Sequence, residues 1–287
     1  MNVDQFRARP GDRSAMTRIR PGERHGLDKR GAAEHLADSL TRLKARQEVL
    51  YANGRAALLL IFQGLDAAGK DSAIEHVMSG VNPQGTDVHS FKAPSAEEQA
   101  HDYLWRASRA LPARGRIGIF NRSYYEELLV VRVHEPLLAA EPLPPWCASP
   151  AIWKQRFEDI NAFERYLSRN GTVIRKFFLY VSRKTQRKRL LERLDDPAKN
   201  WKFQLGDLAE RALWRDYMRA YRDVLAETST KHAPWYVVPA DHKWFAHLVI
   251  SRVIVETLES LDISFPTVTD ANRRALAQAR SRLLRDR

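Results

Sequence analysis

A segment of seven residues, GLDAAGK at positions 64–70, matches the pattern G-x-x-x-x-G-K. It lies between a short apolar run, Ala56–Gln63, which we predict to be a buried strand, and a predicted helix, Asp71–Ser79. In that setting the glycines let the backbone curl so that N–H groups and the helix N-terminus face a phosphate, and the lysine adds a full charge. The predicted phosphate-contacting residues are Gly64, Ala68, Gly69 and Lys70. The alternative is a glycine-containing turn with a solvated lysine.

Two carboxylates accompany this loop, and neither is usual there. Asp71 follows the lysine where most loops of this kind place a Ser or Thr hydroxyl that reaches Mg²⁺. Asp66 lies inside the loop, where its charge repels phosphate unless a cation lies between them. We therefore predict that Asp66 binds Mg²⁺, which bridges carboxylate and phosphate oxygens; the alternative is a cap on the loop amides. Asp71 is either a similar ligand or a base toward an attacking phosphate oxygen.

A second set of polar residues, NRSYYE at positions 121–126, follows another predicted strand, Gly115–Phe120. Ligands of open α/β sheets bind beyond the carboxyl ends of the strands, so we expect Asn121 and Arg122 to lie beside the phosphate loop. Arg122 offers a planar fork to phosphate oxygens, and Glu126, one helical turn further on, faces the same cleft. The alternative is a helix start at which Arg122 and Glu126 form a solvated i,i+4 pair.

A third candidate segment is ERLDDPAKNWKF, residues 192–203, which follows a run of basic side chains. That run contains Arg183, Arg187, Lys188 and Arg189. Basic helices around a proline-interrupted polar loop indicate a lid, over about residues 183–206, that folds over phosphates and excludes water. On charge alone, a solvated basic face is the alternative.

The rest of the chain alternates short apolar runs with amphipathic segments. The predicted strands are Ala56–Gln63, Thr86–Phe91, Gly115–Phe120, Thr172–Val181 and Trp235–Pro239, and the predicted helices are Ala32–Ala52, Asp71–Ser79, Ala96–Ala110, Tyr124–Val133, Ile152–Ser168, Lys184–Leu194, Asp207–Ala226 and His242–Leu261. Residues 135–150 contain five prolines and are predicted to be a loop. This order predicts an α/β fold in which one parallel central sheet carries helices on both faces.

The chain of 287 residues is basic, with 47 Lys and Arg against 35 Asp and Glu and a formal net charge of +12. Such a surface attracts polyanions, of which nucleic acid, anionic lipid and polyphosphate all qualify. Solvated basic faces and tails in an arginine-rich proteome are the alternative. We predict a basic arm over residues 1–30, one α/β domain over 31–265 and a basic tail over 266–287.

Neither a membrane span nor a secretory signal is expected. No apolar run approaches the roughly 18–20 residues that a span requires, and residues 1–16 lack the apolar core of a signal peptide. The single cysteine, Cys147, cannot form an intramolecular disulfide. A reducing compartment, and therefore the cytoplasm, is expected.

Four longer segments resemble the polyphosphate kinase 2 family: GLDAAGKDS, HVMSGVNPQGTDVHSFKAPSAEE, FNRSYYEELLVVRVHEP and LERLDDPAKNWKF. Together with the spacing between them, these segments extend the resemblance over roughly residues 30–262. They are far more specific than the loop pattern alone. The FNRSYYE form is most similar to the class III subgroup, whose members phosphorylate both nucleoside mono- and diphosphates. The resemblance implies a P-loop kinase fold related to thymidylate kinases, a three-layer sandwich with a helical lid. It also implies a basic channel for polyphosphate on one side and a nucleotide between core and lid.

Carried onto this chain, the resemblance implies that Asp66 binds Mg²⁺, Lys70 holds the transferred phosphate and Arg122 stabilises its charge. Other subgroups have a metal-binding aspartate where this chain has Asn121. The amide is a weaker ligand, so the number of Mg²⁺ ions stays open. Glu126 is expected near the acceptor nucleotide, where it influences which nucleotide is accepted.

The same resemblance assigns three further substrate contacts. Arg193 and Lys202 of the lid are expected to close on the nucleotide phosphates, and Lys92 of the second segment is expected to contact substrate. It also implies a homo-oligomer, either a dimer or a tetramer.

The predicted reaction is direct in-line phosphoryl transfer between inorganic polyphosphate and AMP or ADP, with ATP as a product and GMP and GDP as further acceptors. Because the acceptor is already an anionic phosphate oxygen, the protein needs no nucleophile and supplies positioning and charge. One rival is an ATP-dependent nucleoside monophosphate kinase of the same fold. Another is a basic nucleic-acid-binding protein, although the sequence has no helix-turn-helix, zinc-ligand spacing or aromatic RNA-binding signature.

Overall fold

The structure is a computed structural model that describes residues 1–147 and 149–286. Within these residues the chain forms a five-stranded sheet in the order β2-β3-β1-β4-β5, with every pair of neighbours parallel. The strands are β1 (Ala57–Gln63), β2 (Thr86–Ser90), β3 (Ile117–Asn121), β4 (Thr172–Tyr180) and β5 (Trp235–Pro239). The predicted parallel sheet is confirmed, with strand bounds that differ by at most two residues.

β1 has the composition and the pairing of a central strand in a parallel sheet. Every one of its residues, ALLLIFQ, is buried, as expected for a strand covered on both faces. It pairs with β3 on one side and β4 on the other, and Phe62 lies opposite both Asn121 and Phe177. β1 and β3 therefore end at the same edge of the sheet, which brings together the residues that follow them.

Helices account for most of the remaining chain. They are α1 (Ala15–Arg18), α2 (Lys29–Asn53), α3 (Lys70–Val77), α4 (Ala96–Gln99), α5 (Trp105–Arg109), α6 (Glu135–Ala139), α7 (Ile152–Arg169), α8 (Arg183–Asp195), α9 (Gly206–Ala212), α10 (Trp214–Thr228), α11 (Lys243–Glu259) and α12 (Asp270–Leu283). Short 3-10 helices span Val3–Phe6, Pro83–Gly85 and Pro197–Lys202, and a π-helix spans Glu127–Val131.

Two adjacent side chains of β4 show that helices cover both faces of the sheet. Arg175 Nε donates to Thr257 Oγ1 of α11 (2.9 Å), whereas Lys176 Nζ contacts Glu164 Oε2 of α7 (2.5 Å). Successive side chains of a strand point to opposite faces, so α11 and α7 lie on opposite sides. α2 and α3 pack against α11, and α10 packs against α7. The three-layer α/β sandwich is confirmed.

Four predicted segments differ in detail from the structure. In the predicted helix Tyr124–Val133, residues Glu127–Val131 form a π-helix. The predicted helix Ala96–Ala110 is two helices, α4 and α5, because Asp102 Oδ1 accepts a hydrogen bond from the Leu104 N–H (2.9 Å) and begins a new turn. The predicted helix over 207–226 is interrupted at Leu213, whose ψ of 17° departs from the helical value. The loop predicted over 135–150 begins with α6, in which Pro136 occupies the first turn and its missing N–H costs nothing. Ala148 of that loop lies outside the described residues.

The two ends of the chain are packed differently. Near the N-terminus, Val3, Phe6 and Ile19 belong to the main hydrophobic core, and the Ala8 N–H donates to Trp235 O of β5 (2.9 Å). α12, by contrast, has no buried residue. The division of the chain into arm, domain and tail stays a prediction. None of the described helices combines the length and hydrophobicity that crossing a bilayer requires.

Candidate active site

The loop between β1 and α3 has the curled backbone that the sequence predicts. Gly69 adopts φ 104°, which disfavours any side chain, and it directly precedes the first residue of α3. A Cβ on Gly64 would lie 3.0 Å from Leu179 O and 3.1 Å from Ala68 Cβ, so only glycine fits between the loop and β4. Ala67 also has a positive φ, 59°, although it is not a glycine. Strained backbone of this kind is frequent at functional sites.

Lys70 lies at the centre of the loop and is buried. Its Nζ donates to Gly64 O (2.7 Å) and Leu65 O (3.3 Å), which uses two of its three hydrogens. Burial, followed by the nearby positive charge of Arg122, lowers the pKa of Lys70 to about 8. The ammonium is therefore held inside the loop and not in bulk solvent, in contrast to the solvated lysine of the alternative.

Arg122, directly after β3, reaches across to the loop. Its Nη2 pairs with Asp66 Oδ1 (2.8 Å) and its Nη1 pairs with Glu126 Oε2 (2.9 Å). Burial opposes the charge of this guanidinium, but the Glu126 and Asp66 carboxylates outweigh burial and raise the pKa of Arg122. The predicted juxtaposition of the two strand ends is thus present in the geometry. The i,i+4 pair is also formed, but its side chains are partly buried.

Arg122 is held in an unusual backbone conformation, with φ 64°. Its N–H donates to Phe62 O at the end of β1 (3.0 Å), and the next residue, Ser123, accepts a bond from the Tyr125 N–H through its Oγ (3.1 Å). The π-helix Glu127–Val131 follows immediately, and such bulges are frequent at functional sites. The backbone turn therefore aims the guanidinium at the phosphate loop instead of along the strand.

Asn121 and Asp71 form a second contact between the two strand ends. Asn121 Nδ2 donates to Asp71 Oδ1 (2.6 Å). This amide–carboxylate bond places Asp71 in the same cluster as Lys70 and Arg122. The Asn121 oxygen stays available as an acceptor, because the amide nitrogen makes the contact with Asp71.

The cluster contains more negative than positive side chains. Three carboxylates, from Asp66, Asp71 and Glu126, accompany the two cations Lys70 and Arg122. An added polyphosphate or nucleotide therefore needs further positive charge. Among residues 1–147 and 149–286, no group of three or more His, Cys, Asp or Glu side chains is arranged to hold a metal ion by itself. A divalent cation at this site would need water or phosphate oxygens to complete its coordination.

Arg193 and Lys202, the lid residues predicted to contact substrate, make no hydrogen bond or ion pair with Asp66, Lys70 or Arg122 in the structure. Arg193 Nη1 donates to Lys202 O (3.0 Å) and approaches Asp207 Oδ2 (3.4 Å), while Lys202 Nζ lies 4.9 Å from the centre of the Trp201 ring. Burial, and next the Asp66 carboxylate, raises the pKa of Asp207. Lys92 is exposed beyond the end of β2, where its carbonyl accepts from Arg106 Nη1 (2.8 Å).

Several residues that support the cluster were not singled out as site residues by sequence reasoning. Gln63 contacts Ser123 and, with its amide nitrogen facing Glu126 Oε1, lies 2.9 Å from that carboxylate. Tyr221 is buried on α10, stacks on Phe178 (4.0 Å between ring centres), and has a pKa raised by burial and then by Glu126. Gln186 and Arg189 of α8 contact the loop carbonyls. Gln63 could have been found as the polar end of an apolar strand, and Arg189 belongs to the basic run before the predicted lid. Tyr221 and Gln186 have no local signal.

The chain is similar to several known proteins. The family of polyphosphate kinase 2 matches residues 26–266. The chain is 54% identical over 253 residues to the ADP-polyphosphate phosphotransferase of Rhodopseudomonas palustris, with 88% of each chain covered. It is 42% identical over 278 residues to the AMP/ADP-polyphosphate phosphotransferase of Meiothermus ruber, which covers 96% of this chain and 100% of that protein.

A solved structure extends the similarity to three dimensions. The crystal structure of polyphosphate kinase 2 from Arthrobacter aurescens matches with a TM-score of 0.85 at 40% identity, over 96% of this chain and 95% of that chain. The structural similarity therefore extends over nearly the whole of both chains. This chain belongs to the polyphosphate kinase 2 family.

Proposed function

We propose that this protein is a polyphosphate-dependent nucleotide kinase. It transfers phosphoryl groups reversibly between inorganic polyphosphate and AMP or ADP, with GMP and GDP as further candidate acceptors. The observation that carries the proposal is the convergence of Lys70, Arg122 and Asp66 at the adjacent ends of β1 and β3. The names of the two relatives, which both specify polyphosphate and an adenine nucleotide, support this choice of substrates.

In this mechanism the side chains supply position and charge. The amides of the loop and the third hydrogen of the Lys70 ammonium hold the phosphoryl group that is transferred. Arg122 presents its guanidinium to the same group and stabilises charge on its oxygens. The bond from phosphorus to the bridging oxygen of polyphosphate breaks as the bond to the acceptor's terminal phosphate oxygen forms. The polyphosphate leaves one unit shorter.

The residues present fit a divalent cation, and we propose Mg²⁺. The donors are hard oxygens, which Mg²⁺ prefers, and they number too few for a complete cage, as is usual when phosphates complete the coordination. Asp66 and the side-chain oxygen of Asn121 would hold the ion. Bound there, Mg²⁺ cancels charge on the phosphate oxygens. Asp66 would then exchange part of its contact with Arg122 for the cation.

The lid and the edge of β2 complete the proposed site. Arg193 and Lys202 would close on nucleotide phosphates, and Lys92 would contact polyphosphate or nucleotide from the end of β2. Gly64, Ala68, Gly69, Asp71 and Glu126 complete the proposed set of substrate-binding residues.

A homodimer or tetramer and a cytoplasmic location are also proposed. The exposed apolar side chains Leu276 and Leu283 of α12 support assembly with another copy.

A matrix of donors and acceptors tests the function. Polyphosphate or ATP is crossed with AMP, ADP, GMP and GDP, and the products are separated by anion-exchange chromatography. We expect ATP to form from ADP and polyphosphate with Mg²⁺. Formation of ADP from ATP and AMP, without any product from polyphosphate, would identify the ATP-dependent monophosphate kinase instead. Gel-shift titration of DNA with competing polyphosphate tests the nucleic-acid-binding rival.

A further inference from the structure

Arg189 of α8 is a buried arginine that makes no hydrogen bond to a carboxylate among the described residues. Its Nη1 donates to the loop carbonyls Ala67 O (3.0 Å) and Ala68 O (2.8 Å). Its Nη2 donates to Ala240 O (2.6 Å) and Asp241 O (3.2 Å), which follow β5. One planar guanidinium therefore joins the phosphate loop to the carboxyl end of a strand two positions away in the sheet.

Gln186, one turn earlier on α8, continues this row of contacts. Its Nε2 donates to Asp66 O (3.0 Å), and its Oε1 accepts from Arg211 Nη1 of α9 (2.7 Å). Side chains of α8 thus hold three consecutive loop carbonyls, those of residues 66, 67 and 68. α8 also leads directly into the lid, whose Arg193 lies one turn after Arg189 on the same helix.

The held carbonyls fix where the loop amides point. In a trans peptide the C=O and the following N–H point in opposite directions. Because the carbonyls of Asp66 and Ala68 face α8, the N–H groups of Ala67 and Gly69 face away from it. The loop also contains the positive φ of Ala67, a conformation that persists only where the surroundings hold it. The side-chain donors Gln186 and Arg189 of α8 provide that support.

Arg189 also places a positive charge behind the loop. Its Nη1 would lie 3.6 Å from a Cβ built on Gly69, on the side occupied by α8. The hydrogen bonds of the guanidinium all run to backbone carbonyls among the described residues. Its effect on a bound phosphate is transmitted by the loop.

We propose that Arg189, assisted by Gln186, is a positioning residue for phosphoryl transfer that holds the phosphate-loop carbonyls outward and joins the lid helix to the loop. The inference rests on the proposed function for its link to turnover, but its effect on anion binding does not depend on which nucleotide is the acceptor. In this arrangement, a phosphate that orders the loop also orders the base of the lid, because both share the guanidinium.

The test compares the unaltered 287-residue chain with Arg189→Gln and a control variant, Lys154→Gln. Lys154 lies on α7, outside the proposed lid, and its exposed side chain only approaches Glu158 (3.9 Å). Binding of inorganic triphosphate with Mg²⁺ is measured by calorimetry, and kcat and KM are measured with ADP and polyphosphate. All measurements are made well below the thermal midpoint of each variant, which is determined in parallel.

We expect Arg189→Gln to weaken triphosphate binding and to lower kcat, each by about tenfold or more, because four charge-assisted hydrogen bonds are lost. Lys154→Gln should stay within about twofold of the unaltered chain in both measurements. A residue that only stabilises the fold would lower the thermal midpoint and leave kcat and triphosphate affinity of the folded protein unchanged. That result would overturn the proposal.

A second variant decides the outcome if Arg189→Gln does not fold. Gln186→Met removes only the hydrogen bond to the Asp66 carbonyl and the acceptor for Arg211. We expect a smaller loss of triphosphate affinity in the same direction, about threefold. Unchanged affinity and kcat in Gln186→Met would then count against the proposal. If the unaltered chain binds triphosphate but makes no ATP from polyphosphate, the proposed function fails, while the binding comparison still tests Arg189.

Discussion

Lys70, Arg122 and Asp66 show how residue-scale chemistry depends on neighbours that are distant in the chain. Asp66 was predicted to be a magnesium ligand because an isolated carboxylate repels phosphate. In the structure it pairs with Arg122 Nη2 (2.8 Å), so its charge is already partly balanced. The metal assignment stays a proposal, and its test has to separate a magnesium-bound carboxylate from one that only orients the arginine.

Removing the ammonium of Lys70 tests the centre of the mechanism. We expect Lys70→Ala to lose about 100-fold or more in kcat, because a preorganised charge at the transferred phosphate is lost. The fold should persist, since the side chain contacts only two loop carbonyls. Lys154→Ala is the control: Lys154 is exposed and pairs weakly with Glu158 (3.9 Å). Steady-state kinetics and circular dichroism of both variants provide the comparison, and near-normal turnover in Lys70→Ala removes this residue from the mechanism.

The depressed pKa of Lys70 predicts a pH dependence of the free enzyme. Burial and then Arg122 lower that pKa to about 8, so the ammonium is charged below this pH and becomes neutral above it. We expect kcat/KM for polyphosphate to be constant below pH 8 and to fall as the pH rises through it, approaching about tenfold per unit. Profiles at saturating ADP and Mg²⁺ measure this effect. A kcat/KM that stays constant up to about pH 9.5 would contradict the predicted role of the Lys70 ammonium.

Asn121 offers a test of the metal site by gain of charge. In Asn121→Asp, a carboxylate replaces the amide that donates to Asp71 Oδ1 (2.6 Å), so two negative groups face each other. A divalent cation relieves their repulsion, and we expect activity to saturate at a several-fold lower Mg²⁺ concentration. Titration of turnover with Mg²⁺ at fixed substrate measures the shift. Asn170→Asp, just before β4 begins, is a control at the opposite edge of the sheet from the carboxyl ends of the strands. Equal Mg²⁺ requirements in the unaltered chain and both variants would argue against metal binding at Asn121.

At the scale of elements, the segment after β3 is held in place by a buried network that its own tyrosines form with residues of other elements. Lys176 of β4 and Glu164 of α7 form an ion pair with no exposed surface. Lys176 Nζ also donates to the Tyr125 hydroxyl (2.8 Å) and Thr228 O (2.7 Å), and Glu164 Oε1 accepts from Tyr124 (2.9 Å) and Tyr125 (2.8 Å). The network satisfies both charges and anchors the two tyrosines that follow the Arg122 turn.

Removing either charge of the Lys176–Glu164 pair should therefore lower the stability of the fold. We expect Lys176→Met to lower the free energy of unfolding by about 3–5 kcal/mol, because Glu164 is left buried and unpaired. Urea unfolding measures the loss. The surface pair supplies the control, since Lys154→Met should change stability by about 0.5 kcal/mol or less. A loss below about 1 kcal/mol in Lys176→Met would mean that the buried charge finds another partner.

The helices illustrate which element boundaries local patterns determine. α3 and α11 lie within two residues of their predicted bounds, because a strand or loop with clear turn signals flanks each. The predicted helix over 96–110 was wrong in its continuity: apolar spacing continues through it, but the Asp102 side chain competes for the backbone N–H of Leu104. α8 lies within one residue of its predicted bounds, but its contacts with the phosphate-loop carbonyls were not predicted.

At the scale of the whole molecule, the net charge of +12 gives polyphosphate an attractive surface. Residues 266–287 carry six arginines and two aspartates, and α12 within them has no buried residue. This tail adds charge to the molecule without adding to its core.

Truncation after Phe265 tests what the tail contributes. We expect the thermal midpoint to stay within about 2 °C, because no packed side chain is lost. kcat should be unchanged, while KM for long polyphosphate should rise at low salt and converge with that of the full chain at high salt. Scanning calorimetry and kinetics at two ionic strengths measure both effects. A large drop in the midpoint, together with a smaller mass in light scattering, would show that the tail stabilises an oligomer.

The amino-acid sequence alone determined the parallel sheet, the phosphate loop and the family. These features are read from short-range patterns: continuous apolar runs, glycine spacing, and long motifs that keep their order. Only the tertiary structure decided that Asp66 pairs with Arg122, that Arg189 holds the loop carbonyls, and that Lys176 and Glu164 are buried together. Each of those contacts joins residues on different elements. Their formation depends on how the layers pack, which no local periodicity encodes.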